Sequence, residues 1–528
     1  MPDIDIPRMG LPDDLALRLS MAEQHEYLVR KRGPRRRLIL AAGALAALAP
    51  AAPALGFPGG GARFPGSLVV PFGRHLSFGP NPRSQMRVAW QVPHRVRHPF
   101  IRVGEKPWDL GHRIPAEIRA LRSDLDGLFD GVSQYYVHAA IDGLKSGHKY
   151  YYTVGHDGYD PSRRSMFSRI DSFTTAPSRH RVPKPFTFTA FGDQGVGHAS
   201  LRTDGRVARE DPVFHLHAGD LCYADSTGHG RPDDHYKPRR WDQFLAQTEP
   251  ISAAVPWMVT MGNHDMEALY SPDGYGGQLA RWDFPENGPR GAVGVYSFVY
   301  GNVGVVALDS NDVSFEVAAN RNYTGGAQTK WLDGRLKFLR AQPDVDFIVV
   351  FFHHSAFSTT TSHASEGGVR SRWVPLFDKY HVDLVINGHN HVYERADALK
   401  NGQSTPTPTG ATVRPSKDGT IYVTAGAAGR GLYSFGVPDS FAAHERELDQ
   451  VPSFVWAAGH EKVPEKVTWS RVRYTGYSFV AVDVKPAQEG RTATMTLRAV
   501  TDKGAEVDRV VIARKAGPRL PHGKTAES

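Results

Sequence analysis

Apolar and polar positions alternate in one part of the chain and separate into long runs in another. Between about residues 67 and 177, short runs such as QMRVAWQV, QYYVHAAI and HKYYYTVG alternate and are separated by turn residues. From residue 186 onward the apolar runs are nearly continuous, and each stops at a group of polar residues. Alternation predicts strands with one buried face, whereas continuous runs predict strands buried on both faces. We therefore expect an all-β sandwich followed by an α/β domain.

Six apolar runs predict the strands of the second domain: FTFTAFGDQG, VFHLHAGDLCYAD, WMVTMGNHD, VGVVALDSND, FIVVFFHHS and DLVINGHNH. Helical patterns, WDQFLAQTEPI and AQTKWLDGRLKFLRA, lie between several of these runs. Ligands of such folds bind beyond the carboxyl ends of the strands. Asp, Asn and His residues collect at these ends, so we expect a functional site there.

The N-terminus has the pattern of an export signal. Basic residues through Arg37 precede an apolar run from Leu38 to Leu48, and Ala52-Pro53-Ala54 follows as a small-x-small cleavage site. The run is shorter than the ~20 apolar residues that span a bilayer, so no permanent membrane anchor is expected. Arg35-Arg36 followed by x-Leu-Ile resembles a twin-arginine signal, although Pro34 stands where Ser or Thr is usual.

These sequence patterns divide the chain into five predicted segments: an export signal (1–56), a Gly/Pro linker (57–66), a β-sandwich (67–177), a catalytic domain (183–515) and a polar tail (516–528). The signal predicts an exported protein, extracellular, periplasmic or associated with the cell wall, and the twin-arginine translocase as a partner.

Composition narrows the class of protein. A chain of 528 residues that is 40% hydrophobic can bury large cores, and its single cysteine excludes an intramolecular disulfide. The formal net charge of +8 favours anionic ligands, but no long basic run lies outside the N-terminus. A mixed, solvated surface is the alternative explanation of this charge, and no nucleic-acid partner is expected.

The residues at the strand ends suit metal ions. They supply oxygen and nitrogen ligands without a thiolate, a set that fits iron, manganese or zinc: Asp193, Asp220, Tyr223, Asn263, His353, His389 and His391. A single tetrahedral zinc needs four protein ligands, so seven candidates indicate two metals. The alternative is that these polar groups only satisfy one another at the strand ends.

Five ordered blocks, GDQG, GDLCY, GNHD, VFFH and GHNH, resemble those of the metallophosphoesterases in the version seen in purple acid phosphatases. The flanking sequences are similar to the plant high-molecular-weight enzymes, which also place a fibronectin-like sandwich before the catalytic domain. In the first domain, LKSGHKY resembles a fibronectin type III corner with Tyr150 as its tyrosine. The resemblance spans roughly Ser67 to Lys515 and implies a four-layer αββα catalytic sandwich.

Tyr223 distinguishes this version of the motif. Most metallophosphoesterases open with Asp-x-His, but Gly195 occupies the histidine position here. Tyr223 can fill the vacant ligand position, because a trivalent metal would hold a phenol deprotonated despite its solution pKa of ~10. Within GDLCYAD, Asp220 and Tyr223 are thus the chemical residues, and Cys222 is a spacer.

The resemblance implies a role for each residue. It places Asp193, Tyr223 and His391 on Fe(III), and Asn263, His353 and His389 on divalent Fe, Zn or Mn. Asp220 bridges the two metals. His264 is the implied general acid and a substrate contact, with Asp265 as its orienting partner, while His363 and Glu366 occupy the places of substrate-contacting residues. For His363 and Glu366, solvated loop positions are the alternative.

The implied activity is hydrolysis of small phosphomonoesters by a metal-bound hydroxide at the dinuclear centre. A phosphodiesterase using the same centre is the alternative enzyme, because substrate preference resides in loops. A non-catalytic binding protein would be expected to lack a ligand or His264, and this chain retains them all.

Overall fold

The computed structural model describes residues 66–123, 132–161 and 169–519. The predicted export signal, nearly all of the predicted linker and most of the predicted tail lie outside these ranges. Within them, no helix combines the length and apolar character needed to cross a membrane.

The first domain is a sandwich of eight strands: β1 (Phe72–Phe78), β2 (Met86–Val92), β3 (Phe100–Gly104), β4 (His112–Pro115), β5 (Glu117–Ser123), β6 (Val132–Ile141), β7 (Lys149–Gly155) and β8 (Asp171–Thr174). They form two four-stranded sheets, ordered β1-β2-β6-β5 and β4-β3-β7-β8. The Lys145 backbone N–H donates to the Tyr150 hydroxyl at 2.9 Å. This bond confirms the tyrosine corner.

The strands of the second domain that precede residue 400 are β9 (Phe186–Phe191), β10 (His215–His217), β11 (Trp257–Val259), β12 (Tyr296–Tyr300), β13 (Val303–Ala307), β14 (Phe347–Phe352), β15 (Ser365–Glu366), β16 (Leu384–Asn387), β17 (Tyr393–Ala396) and β18 (Ala398–Lys400). Those that follow are β19 (Gln403–Thr405), β20 (Thr412–Val413), β21 (Ile421–Ala425), β22 (Val451–Ala457), β23 (Glu461–Val467), β24 (Ser470–Tyr474), β25 (Ser478–Lys485), β26 (Thr492–Thr501) and β27 (Glu506–Lys515). All six predicted strands are present.

The helices of the described ranges are α1 (His198–Val207), α2 (Arg239–Ser252), α3 (Gly276–Arg281), α4 (Ala327–Ala341), α5 (Gly367–Arg372), α6 (Val374–Tyr380) and α7 (Pro415–Asp418). Short 3-10 turns cover Gly66–Leu68, Ala208–Glu210, Asn263–Asp265 and Ser310–Asp312. Both helices predicted from the sequence correspond to α2 and α4.

Two seven-stranded sheets pack face to face in the second domain, with orders β11-β10-β9-β25-β26-β27-β20 and β12-β13-β14-β16-β21-β17-β24. Their inner faces meet in contacts such as Phe214 against Phe298, with ring centroids 5.4 Å apart. Leucines of α4 cover the outer face of the second sheet, and Trp241 and Phe244 of α2 pack outside the first. The four-layer αββα fold preceded by a β-sandwich is therefore confirmed.

The sandwich and the catalytic domain share a polar contact at α2. The Arg74 guanidinium on β1 lies 2.6 Å from the Glu249 carboxylate on α2, and both side chains are buried. Gln91 on β2 donates to Asp242 of the same helix at 2.6 Å. Because a buried charge needs a partner, these pairs hold the sandwich against the helix that follows the GDLCYAD segment.

Candidate metal centre

All seven predicted ligands lie at the carboxyl ends of parallel strands. They follow β9, β10 and β11 of one sheet and β14 and β16 of the other: Asp193, Asp220, Tyr223, Asn263, His353, His389 and His391. Strands β9 to β11 pair in parallel, as do β14 and β16. The carboxyl ends of both sheets therefore meet at one edge of the sandwich, and all seven side chains are buried there.

One set of three ligands surrounds Tyr223. Its hydroxyl lies 3.1 Å from Asp193 Oδ1 and 2.9 Å from His391 Nε2. His391 Nε2 is 3.4 Å from Asp193 Oδ1. A carboxylate, a phenol and an imidazole nitrogen thus converge on one point from three loops.

A second set of three ligands surrounds Asn263. Its Oδ1 lies 3.0 Å from His353 Nε2 and 3.1 Å from His389 Nδ1. The two ring nitrogens are 3.2 Å apart. An amide oxygen and two imidazole nitrogens therefore converge on a second point.

Asp220 lies between the two sets. Its Oδ2 is 3.3 Å from His353 Nε2, while Oδ1 accepts the His264 backbone N–H at 2.8 Å. Ligand atoms of Asp193, Asp220 and His353 all lie within 4.8 Å of one another. Burial alone would raise the pKa of Asp220, but the neighbouring His353 and His264 rings outweigh it and hold that pKa well below its usual value. Asp220 is therefore an ionised carboxylate facing both sets.

Each ligand histidine is held through its other ring nitrogen by an oxygen acceptor: His353 Nδ1 by the Ala218 carbonyl (2.9 Å), His391 Nδ1 by the Gly431 carbonyl (2.6 Å) and His389 Nε2 by the Glu316 carboxylate (2.9 Å). Carbonyl and carboxylate oxygens only accept, so these nitrogens carry the protons. The opposite nitrogens then present lone pairs to the site, which is the tautomer that a metal requires.

The second set needs a positive charge, either an added proton or a metal ion, to satisfy its facing acceptors. With these tautomers, Asn263 Oδ1 and the facing nitrogens of His353 and His389 are all acceptors. Burial lowers the pKa of His353, but the Asp220 and Asp193 carboxylates outweigh it and raise the pKa to about 9. A raised pKa for a buried imidazole means that its surroundings stabilise a positive charge. The residues present therefore fit two metal ions.

The backbone adopts strained conformations at four of the seven ligands. Asp193, Asp220, Tyr223 and His389 have φ angles of 59°, 54°, 57° and 67°. This left-handed region is uncommon for residues other than glycine and costs of order 1–3 kcal/mol each. Such strain is concentrated at functional sites, where the surrounding structure maintains it.

Two motif glycines allow the carboxylates to approach the neighbouring strand ends. A Cβ atom on Gly262 would lie 2.1 Å from Asp220 Oδ1, and one on Gly388 would lie 2.5 Å from Asp193 Oδ2. Any side chain at either position would collide with a metal ligand. This is the physical reason why GNHD and GHNH begin with glycine.

Comparison with known proteins identifies the family of both domains. Residues 71–175 match the purple acid phosphatase N-terminal domain, and residues 186–393 match the calcineurin-like phosphoesterases. The chain belongs to the metallophosphoesterases, in the purple acid phosphatase family. An uncharacterized protein of Mycobacterium tuberculosis is 31% identical over 475 residues, covering 81% of this chain and 84% of the relative.

Further relatives of this purple acid phosphatase-type chain come from plants. Purple acid phosphatase 18 of Arabidopsis thaliana is 26% identical over 379 residues, covering 69% of this chain and 72% of the relative. The structure of a purple acid phosphatase from yellow lupin seeds superimposes with a TM-score of 0.64 at 20% identity, covering 87% of this chain and 78% of that one. This structural likeness shows the fold.

Gly195, the residue predicted to stand in place of a metal-binding histidine, leaves room for two side chains. A Cβ atom on Gly195 would lie 3.0 Å from Arg430 Cδ and 3.6 Å from the Tyr223 ring. The Arg430 guanidinium carbon is 4.1 Å from the centroid of that ring. Burial, then the Asp193 and Asp220 carboxylates, raises the pKa of Tyr223. A bound metal would thus have to supply the charge that ionises the phenol, and Arg430 adds a cation on its ring face.

His264 faces the site, whereas the expectation for Asp265 is wrong. His264 Nε2 lies 3.9 Å from Asp220 Oδ2, and Nδ1 is held at 2.9 Å by the Asp225 carbonyl. The Asp265 carboxylate instead accepts the backbone N–H groups of Asp220, Leu221 and Gly262 at 2.8 to 3.0 Å. Because Asp265 ends the 3-10 turn that begins at Asn263, its side chain points back to the strand ends. It therefore holds the backbone of the ligand loops.

His363 lies at the site, but Glu366 does not face it. The His363 ring lies against His389, with ring centroids 4.1 Å apart and the ring planes tilted by 41°. The Glu366 carboxylate is buried and accepts from the backbone of Phe315, Glu316 and Gly368. The prediction of Glu366 as a substrate contact is thus wrong, because Glu366, the last residue of β15, turns its side chain inward against the segment carrying Glu316.

Sequence reasoning missed Glu316, Arg430 and Tyr433. The Glu316 carboxylate contacts both His389 and His363. The Tyr433 ring stacks on His391, with centroids 4.0 Å apart. Arg430 and Tyr433 lie in the stretch AGAAGRGLY, whose glycines signal close backbone approach. No comparable signal marks Glu316, which lies in a loop after Ser310–Asp312.

Proposed function

We propose that the chain is a metal-dependent phosphomonoester hydrolase. The observation that carries this proposal is the pair of converging ligand sets with the ionised Asp220 between them and the His264 ring beside it. When bound, two metal ions would attract the phosphate, activate water and balance charge in the transition state. Asp193, Tyr223 and His391 would hold one ion, Asn263, His353 and His389 the other, and Asp220 both.

Residues of the chain supply proton transfer and orientation. The Asp225 carbonyl fixes His264 Nδ1–H, so Nε2 is the atom directed toward Asp220 and the site. Burial lowers the pKa of His264. The ring therefore carries the Nε2 proton needed to protonate a leaving alkoxide only in acid, and turnover of poor leaving groups should fall as pH rises through that pKa.

The purified protein is expected to contain about two metal ions per chain, including iron, and to be violet. We infer Fe(III) in the Tyr223 set and divalent Fe, Zn or Mn in the Asn263 set. Tyrosinate bound to Fe(III) would absorb visible light by charge transfer. Elemental analysis together with a visible spectrum tests the assignment. Colourless protein that is active with zinc or manganese alone would contradict the iron and leave the fold intact.

A phosphomonoester is expected to be the better substrate. Parallel kinetics with an aryl phosphate and the corresponding bis-aryl phosphate, on the same metal-loaded sample, compare kcat/KM for the two classes. A higher kcat/KM for the diester would assign the site to phosphodiester hydrolysis. Tight metal binding without turnover of either substrate would favour a binding protein.

A further inference from the structure

Glu316 connects two histidines at the rim of the candidate metal centre. Its Oε2 lies 2.9 Å from His389 Nε2, and its Oε1 lies 2.5 Å from His363 Nδ1. The carboxylate is largely buried, with 12% of the side chain exposed. One carboxylate therefore bonds a predicted metal ligand through one oxygen and a predicted substrate contact through the other.

The contact with His389 determines which nitrogen faces the metal site. Because a carboxylate oxygen accepts, His389 Nε2 carries the proton, and Nδ1 presents its lone pair to Asn263 Oδ1 at 3.1 Å. A carboxylate behind a ligating histidine also fixes the ring orientation and makes the ligand nitrogen more basic. Backbone carbonyls fill this place for His353 and His391. His389 is the one of the three held by a side chain.

The position of Glu316 is itself fixed by the protein. The Glu366 carboxylate accepts the backbone N–H groups of Phe315 and Glu316 at 2.7 and 3.1 Å, and the Ser314 hydroxyl at 3.0 Å. Three bonds to consecutive residues hold this segment in one conformation. Glu366 thus acts through the backbone that carries Glu316.

Through its second oxygen, Oε1, Glu316 is connected to the ligand set that contains His391. With its Nδ1–H donated to Glu316, His363 directs Nε2 to the Tyr433 hydroxyl at 3.2 Å. The Tyr433 ring stacks on His391 with an interplanar angle of 10°. A continuous series of contacts therefore runs from His389 through Glu316, His363 and Tyr433 to His391.

We propose that Glu316 is a positioning residue that holds His389 in the metal-binding tautomer and orients His363 at the rim. The proposal rests on the proposed metal centre. The chemical requirement is an acceptor pair, because both rings donate to it. Glutamine can accept from one ring only and must donate to the other, so the amide would force one histidine into the opposite tautomer. In either orientation the amide lacks the negative charge that makes the metal-facing nitrogen of His389 more basic, so metal binding is weakened.

Zinc affinity is the decisive measurement, because it does not depend on turnover. The divalent ion is removed from the full-length protein with a chelator, and Zn²⁺ is titrated back in competition with a chromophoric chelator. We expect E316Q to bind zinc about 10–100-fold more weakly than the unmodified protein. The iron content and the visible band should be unchanged, since Glu316 touches none of Asp193, Tyr223 or His391. E316D retains two acceptors with shorter reach and should give an intermediate affinity.

Matched variants separate this role from others. H363A removes the other partner of Glu316 and should leave zinc affinity unchanged, whereas H353A removes a ligand and marks complete loss of the site. E489Q changes an exposed glutamate far along the chain and controls for the charge change. Circular dichroism melting verifies that each variant is folded. Should E316Q not fold, E316D carries the test.

Two results would overturn the proposal. One is unchanged zinc affinity in E316Q, or in E316D where that variant carries the test. The other is a second zinc ion per chain beside the iron, lost in H363A, which would make Glu316, His363 and His389 a metal site of their own. A protein that binds zinc as expected, responds to E316Q as expected and hydrolyses no phosphate ester would refute the proposed function alone.

Discussion

Asp220→Asn is expected to abolish nearly all phosphatase activity, while Cys222→Ser, two residues away, retains most of it. The Asp220 carboxylate faces both ligand sets, and asparagine removes its negative charge and one of its two oxygen ligands. A loss of about 10³-fold in kcat corresponds to about 4 kcal/mol of transition-state stabilisation. Steady-state kinetics and metal analysis on the same samples measure both consequences, and we expect fewer metal ions per chain in the asparagine variant.

Cys222 provides the matched control because it lies next to the site without facing it. Its side chain is fully buried in the apolar cluster that includes Trp241 and Met266. Burial raises the pKa of the thiol, so it stays protonated and is a poor nucleophile. Serine buries a hydroxyl there and should cost about 1–3 kcal/mol of folding stability with metals retained. Inactivation by serine as complete as that by Asp220→Asn would mean that Cys222 belongs to the chemistry.

His264→Ala is expected to slow hydrolysis of alkyl phosphates about 10²–10⁴-fold, the range of general acid catalysis, and that of activated aryl phosphates far less. The free-energy equivalent is about 3–5 kcal/mol of transition-state stabilisation for the alkyl esters. An alkoxide needs a proton to leave, whereas a nitrophenolate leaves without a full one. A series of leaving groups, with kcat/KM plotted against leaving-group pKa, gives a steeper slope for the variant.

Metal content distinguishes the roles that His264 can have. The ring lies 3.9 Å from Asp220 Oδ2 and outside both ligand sets, so the variant should keep its metals. Equal losses on every substrate with metals intact would make His264 a residue that positions phosphate. Loss of metal would also undermine the assignment of the neighbouring Asn263 as a ligand.

The pattern of apolar runs was sufficient to predict those site residues whose place in the fold is fixed by their position at the end of a strand. Asp193, Asn263 and His353 follow apolar runs directly or within a few residues, and parallel strands bring their carboxyl ends to one edge of a sheet. The resemblance of VFFH to the corresponding family block implies His353 rather than His354 as the ligand. In the structure, His353 Nε2 faces Asn263, whereas His354 Nδ1 bonds the Ser310 hydroxyl at 2.8 Å.

By itself, the sequence determined the fold class, the strand ends that form the site and the seven residues that meet there, because these depend on short-range patterns. Only the tertiary structure decided which carboxylates contact the ligand histidines and which ones bond the backbone nearby. Asp265 turns to the strand-end backbone rather than to His264, and Glu366 supports a loop, while Glu316 reaches His389 from 73 residues away. Side-chain direction in loops depends on the backbone hydrogen bonds available in the folded chain, and those partners are distant in sequence.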